Sequence, residues 1–300
     1  MANTGNSSVS DLQKKYKKSG MSRQVWRRFK RNKTAMLGLI IITLIVIMAV
    51  IAPLIYDYNE DVIKQNIKEK LQAPSAKHIL GTDHVGRDVL ARIIWGARAS
   101  VFIGLAAVAL AFIVGGALGS IAGYYGGRVD GIIMRIMDIF LAIPGTLFAI
   151  TLMAALGKSI PNLVIALTIS TIPGFARIVR SSVLIVRDVD YIEAAKAIGC
   201  KNSRIIFQHV LPNSLAPVIV HTTLSVATVI LTIAGLSYLG LGISAPMPEW
   251  GQMLAEARNY IINPKYTYLT LFPGLSIMIT ILALNLLGDG LRDALDPRLK

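Results

Sequence analysis

Four side chains near residue 80 have metal-ligating types: His78, Asp83, His84 and Asp88. Gly81 and Gly86 among them fit a turn, so a metal site is not expected. Gly157-Lys158-Ser159 looks like the end of a phosphate-binding loop. The required glycine five residues earlier is missing, since Leu152 stands there, and Pro161 follows at once. His221 and Asp289 are nearly the only titratable groups inside the long apolar runs. A proton-coupled carrier needs an intramembrane relay and an intramembrane protease needs paired catalytic groups, so this scarcity argues against both. The single Cys200 excludes an intrachain disulfide, and no Cys/His cluster suggests zinc. No energy-converting chemistry is legible in the chain.

The strongest local pattern is polar. Tyr191 to Asn213 is a basic island between apolar runs. Its punctuation fits two short helices joined at a glycine. Asp190 is placed to cap the first, with Glu193 at capping-box distance. Gly199 suits the left-handed position that ends such a helix. Asn202 is placed to cap the second, and Pro212 to end it. The expectation is a compact elbow at a membrane surface.

Composition supplies the membrane. The chain has 300 residues, 54% hydrophobic and only 16% charged, with a formal net charge of +14. That is too apolar for an ordinary soluble domain. Residues 1–34 hold ten Lys or Arg (Lys14, Lys15, Lys17, Lys18, Arg23, Arg27, Arg28, Lys30, Arg31 and Lys33) against one acid, Asp11. The uncharged run Thr34–Tyr56 follows directly. A basic segment against an apolar span is a membrane-orientation signal and argues against nucleic-acid binding. The run is too long for a cleaved signal and no A-x-A site follows, so a retained anchor is expected.

Charge-free windows predict six spans. They are Thr34–Tyr56, Ala99–Gly127, Ile139–Gly157, Ser159–Ala176, Ser214–Gly235 and Tyr266–Gly288. Six spans put both termini on one side. The basic N-terminus is assigned to the cytoplasm, and so is the loop with Arg177, Arg180, Arg187, Lys196, Lys201 and Arg204. The elbow is then cytoplasmic and residues 57–98 are outside. Ala111, Gly115, Gly119 and Gly123 form a small-residue ridge for close helix packing. Ile143-Pro144-Gly145 and Ile172-Pro173-Gly174 are expected to interrupt spans three and four, and Phe272-Pro273-Gly274 to begin span six. Outside, GTDHVGRD (81–88) reads as a turn. Val89, Ile93 and Ile94 then fit one face of a helix lying on the outer surface, with Asp88 and Arg92 paired at i,i+4 and Trp95 at the interface.

The elbow carries a resemblance. Glu193-Ala194-Ala195, Gly199 and Leu211-Pro212 resemble the EAA motif of bacterial ABC importer permeases. His209 departs from the motif, which has an aliphatic residue there. Gly81, Thr82, Asp83, Gly86, Arg87 and Asp88, with Arg92 and Arg98, resemble the peptide branch of that family. LSYLGLG (236–242), PEWG (248–251) and NLLGDGLRDALDPR (285–298) do so too. The likeness runs from about residue 23 to 300 and is nearest to the second, C-type permease of dipeptide, oligopeptide and nickel uptake systems.

The resemblance implies an all-α polytopic membrane protein with the type I importer (MetI-like) permease fold and six transmembrane helices. It implies a basic cytoplasmic segment 1–34, a first span 35–57, an extracytoplasmic segment 58–97, a five-helix core 98–290 holding the elbow 188–213, and a cytoplasmic tail 291–300. A homologous permease, two ATPase subunits, an extracytoplasmic substrate-binding protein and membrane lipid are the implied partners. ATP and Mg would sit on the ATPases, leaving this chain without a cofactor and without catalysis. The implied location is the plasma membrane of a bacterium or archaeon. Peptides are the implied cargo; nickel or a nickel chelate is the alternative, and an ATP-independent carrier is the alternative of another class.

Overall fold

The computed structural model describes residues 21–295. Expectations for residues 1–20 and 296–300, including Asp11, Lys14, Lys15, Lys17 and Lys18, lie outside the described residues.

Helix α1, Met21–Arg31, is short and basic. Asn32 ends it and caps the next helix, its Oδ1 accepting from the Ala35 amide at 3.1 Å. Helix α2, Lys33–Ile55, is apolar all round. It buries small residues such as Ala35 and Ala49 and turns Leu44, Val50 and Leu54 outward, as a lipid-facing span does. Residues 57–88 form a loop with short π- and 3-10-helical turns at Tyr58–Ile63 and Ile67–Glu69.

Helix α3, Val89–Tyr125, is continuous for 37 residues, roughly 55 Å at ~1.5 Å per residue. The separate surface helix expected before span two is therefore absent. Val89, Ala91, Arg92, Gly96 and Ala97 are buried in protein, so this stretch is the N-terminal end of a span. Helices α4, Gly127–Leu141, and α5, Gly145–Leu156, meet at 79°. The third span, expected over Ile139–Gly157, is thus a bent pair. Pro144 stands at the break, where it disfavours helix for the residue before it. Helix α5 has 12 residues, about 18 Å, too short to cross alone.

Helix α6, Ile160–Arg187, starts at Ser159, whose hydroxyl accepts from the Asn162 amide at 3.2 Å. Helices α7, Asp190–Ala197, and α8, Asn202–Ile205, form the elbow. A π-helical stretch, Ile206–Val210, joins α8 to α9, Leu211–Tyr238. Helix α10, Trp250–Ala257, precedes α11, Tyr268–Leu295. Pro173 lies inside a continuous helix, so one of the two expected interruptions does not occur; Pro273, expected to begin span six, lies inside α11, which starts at Tyr268. Packing against neighbours holds a span together where one N–H is lost.

Five helices are long and apolar enough to cross a membrane, six if the bent pair counts as one span. The chain is a multi-pass, all-helical membrane protein. Among the described residues an isolated bridge between Thr82 and Asp88 is the β feature. Helices α3 and α6 make the most extensive helix contact. A Cβ on Gly115 would lie 2.6 Å from the Ile172 carbonyl oxygen, and one on Gly119 2.4 Å from that of Ala176. A Cβ on Gly123 would meet Val183 at 2.9 Å, and Ala111 is fully buried. The small ridge thus lets the two backbones touch. Helix α9 packs across this pair, and α11 packs on α9 and α2. Asn32 Nδ2 donates to Asp293 at 3.2 Å, so the two described chain ends lie together at one end of the bundle.

Candidate functional site

The elbow is built at the same end as those chain ends. Helix α7 terminates in a Schellman turn: the Cys200 amide donates to Ala195 O at 3.1 Å and the Gly199 amide to Lys196 O at 3.0 Å. Gly199 has φ +79°, a conformation that favours glycine. The two cap assignments fail by one residue. Val189 is the N-cap of α7, because its extended backbone carbonyl accepts from Ile192 at 2.8 Å. Asp190 is then the first helical residue and Glu193 the fourth, one too far for a capping box. Both still place negative charge in the first turn, where the helix dipole favours it. Lys201 likewise replaces Asn202 as the cap of α8.

Asn202 is used differently. Its Oδ1 accepts from Tyr124 Oη at 2.9 Å, joining the elbow to the last turn of α3. Lys196 Nζ stands 5.7 Å from the same ring. Arg187 Nη1 donates to Gly123 O at 2.8 Å. Ile192, Ile205 and Val210 are fully buried against Val179, Val183 and Tyr124. Pro212 does not end the second helix: residues Asn202–Tyr238 form one 37-residue span. The π turn of Ile206–Val210 directly precedes that proline, where an altered ladder register accommodates the missing donor. His209 is half-buried in this turn, its carbonyl accepting from Asn213 Nδ2 at 2.6 Å, and Leu211 packs on the elbow cluster.

The opposite face of the elbow is bare. Ile198 is 80% exposed and Tyr191 is also exposed, while Phe207, 70% exposed, lines a groove with Phe112 and Tyr125 of α3 and Leu215 of α9. Glu193 and Ala194 are exposed as well, while Ala195 faces inward. A rigid elbow fixed to the ends of α3, α6 and α9 thus presents an apolar, partly acidic face.

At the other end of the bundle the 81–88 turn is locked. Gly86 has φ +82°, and a Cβ there would fall 1.8 Å from Asn66 O. Gly81 packs against the Tyr268 ring. Thr82 O accepts from Tyr268 Oη at 2.8 Å, and Thr82 Oγ1 donates to Glu69 O. Asp88 caps α3 through the Ala91 amide at 2.9 Å and faces His78 Nδ1 at 2.9 Å. It does not pair with Arg92. That guanidinium is 1% exposed, and its Nη2 donates to Glu256 Oε2 at 3.2 Å. Arg87 bridges Asp83, at 2.6 Å from Nε, and Glu256, at 2.6 Å from Nη2. Exposed Lys77, hydrogen-bonded to Glu69, holds that carboxyl below the usual carboxylate range.

The four residues first weighed as metal ligands divide into two groups. His78 and Asp88 face each other, while Asp83 and His84 lie with Glu256. Ligand atoms of Asp83, His84 and Glu256 fall within 4.8 Å of one another. Both carboxylates already face Arg87 and Arg92, so the group is a compensated ion-pair cluster rather than a ready cation site.

The PEWG stretch is part of this end. Buried Glu249 caps α10, accepting from the Gly251 and Gln252 amides at 2.8 Å each, and takes the Ser100 hydroxyl at 3.2 Å. Trp250 Nε1 donates to Ile93 O at 3.0 Å. Glu249 and Glu256 as partners of α3 escape local reading, because they lie about 150 residues or more from Ser100 and Arg92. Gly157-Lys158-Ser159 supplies a helix cap and no phosphate loop.

Residues 115–300 match a family described as the binding-protein-dependent transport system inner membrane component. Residues 20–74 match the N-terminal transmembrane domain of oligopeptide transport permease C. A dipeptide transport system permease of Alkalihalophilus pseudofirmus is 51% identical, covering 93% of this chain and 90% of its own length. The oligopeptide permease OppC of Bacillus subtilis is 44% identical over 97% of this chain and 94% of its own. The glutathione permease GsiD of Pectobacterium atrosepticum is 42% identical over 93% and 91%. An inward-facing methionine ABC transporter, MetNI, aligns with TM-score 0.56 at 17% identity, covering 69% of this chain and 97% of that one, a likeness of fold. With both family matches and these identities in hand, the chain belongs to the binding-protein-dependent ABC importer permeases, in their dipeptide and oligopeptide C-type branch.

Proposed function

We propose that this chain forms half of the translocation path of a peptide importer. The other half is a homologous permease. Two ATPase subunits, which hold ATP and Mg, dock on the elbow 188–213 from the cytoplasm, and an extracytoplasmic binding protein delivers peptide to the 58–88 end. Both chain termini are then cytoplasmic, in a bacterial or archaeal plasma membrane. The observation that carries the reading is the exposure of Tyr191, Glu193, Ala194 and Ile198 on an elbow whose Ile192, Ile205 and Val210 are buried against three spans. Apolar side chains exposed on a rigid support mark a protein interface. Glu193 is exposed, with no ion pair among the described residues, and is available to a cation of that partner.

The chain is the non-catalytic subunit, and hydrolysis of ATP drives the elbow and the spans attached to it. Peptide cargo is favoured over nickel by the relatives' names, which specify dipeptides, oligopeptides and glutathione. The test is purification from a native membrane followed by reconstitution with the binding protein. Co-elution with a second permease and two ATPases, and ATP-dependent uptake of Ala-Ala, are expected. Uptake by the lone chain without ATP would establish a carrier instead.

A further inference from the structure

Between α5, α6 and α9 lies a cavity of about 430 Å³. Its size is that of a small-molecule site. Among its lining residues there is no Asp, Glu, Lys or Arg. We propose that this cavity is the chain's part of the peptide path, and that its hydroxyls accept the main-chain N–H groups of the cargo. The proposal rests on the importer reading and adds the residues and the chemistry of recognition.

The hydroxyls carry the argument. Ser170 and Thr171 both donate to Leu167 O, at 2.9 and 2.7 Å. Thr228 donates to Leu224 O at 3.1 Å, and Thr232 to Thr228 O at 3.0 Å. A hydroxyl has one hydrogen and two lone pairs. With the hydrogens of these four held by their own helices, this part of the wall offers lone pairs. A molecule that fits it must bring donors. Amide and ammonium N–H groups are the donors every peptide shares, whatever its side chains. A wall without fixed charge neither attracts nor repels acidic or basic side chains, as a path for varied peptides requires.

Two glycines set the width. Gly145 follows the break at Pro144, and Gly174 follows Pro173 near the middle of α6. A Cβ on Gly145 would have its nearest neighbour at 4.0 Å, and one on Gly174 would meet His221 Nε2 at 3.6 Å. Both are ordinary contacts, in contrast to the blocked glycines of the α3–α6 seam. Side chains placed here enter the cavity without displacing a backbone. His221, edge-on to Phe175 with ring centroids 4.8 Å apart, forms one side of the opening.

The experiment uses the complete importer in vesicles, with Ala-Ala as probe. Wild-type uptake driven by ATP tests the importer reading; if it is absent, that reading fails and this inference with it. Given wild-type uptake, Thr171→Val with Thr228→Val removes two acceptors and keeps side-chain shape. Uptake is expected to fall about tenfold, the size set by two ordinary hydrogen bonds, with Thr171→Ser and Thr228→Ser close to wild type. Gly174→Phe is expected to block uptake while the complex still purifies intact. Should that variant fail to assemble, Gly174→Cys in a Cys200→Ala background replaces it, and a water-soluble thiol reagent should label it more slowly with Ala-Ala and ATP present. Wild-type uptake by the double Val variant or by Gly174→Phe overturns the inference, as does labelling of Gly174→Cys that ignores peptide and ATP.

Discussion

Tyr124 Oη donates to Asn202 Oδ1 at 2.9 Å, so the last turn of α3 is hydrogen-bonded to the first residue of α8. One span is thereby joined to the elbow that begins another. Tyr124→Phe removes this bond and little else, a loss of about 0.5–1.5 kcal/mol. The complex should still assemble, but peptide-stimulated ATP hydrolysis should fall severalfold relative to the basal rate. An unchanged stimulation ratio would show that the bond is not used in coupling.

Gly199 ends α7 at φ +79°. A β-branched side chain is strained there, at a cost of about 1–2 kcal/mol. Nothing lies within 4 Å of its Cβ position, so the effect acts through the backbone alone. Gly199→Val should abolish uptake while leaving the chain in the membrane, and Gly199→Asn should retain part of it. A growth assay on peptide as sole source of a required amino acid reads the difference.

Gly119 sits where a Cβ would lie 2.4 Å from Ala176 O. Gly119→Leu has to separate α3 from α6, and overpacking of this kind costs about 1–3 kcal/mol or more. The expected result is a lower thermal midpoint in detergent and poor recovery of the complex. Gly131→Ala, with open space around its Cβ, is the matched control and should behave as wild type.

Arg92 and Arg87 share Glu256. Arg92→Ala leaves the partly buried Glu256 carboxylate with one partner fewer, and breaking a buried pair costs about 3–5 kcal/mol at the upper end. Trypsin should then cut faster within residues 58–88, at Lys64, Lys68 or Lys77. Arg92→Met combined with Glu256→Gln should be less damaging than Arg92→Ala alone. Equal cleavage rates in all three proteins would remove the cluster from the account of this end.

The spans were legible because bilayer thickness demands long uncharged runs, but their ends were less so: α3 starts ten residues before its window, and α6 runs past its own through Arg177, Arg180 and Arg187. The departures have specific causes. Val89–Gly96 read as a surface helix because its burial comes from α10, far away in sequence. Pro144 breaks a helix while Pro173 and Pro273 do not, a choice made by packing and invisible in the tripeptides themselves. In the elbow, Gly199 was readable, since positive φ is written in residue type. Asp190 and Asn202 were misassigned as caps, because the cap is chosen by which carbonyl starts the ladder, here that of Val189 or Lys201. The hydroxyl-lined cavity had no signature in either helix alone. It needs Thr171 and Thr228 from two helices on one wall.

The unbroken helix from Asn202 to Tyr238 has a further consequence. It is roughly 55 Å long at ~1.5 Å per residue, and its far end holds Ala234, on which Gly251 rests with no room for a Cβ. A stiff rod that starts in the docking elbow and ends beneath the outer rim works in both directions. In the proposed importer, a push at the elbow is carried to the opposite rim, and a push at that rim is carried back to the elbow. The same helix would then report, to the proposed ATPases that never meet the cargo, that cargo has arrived.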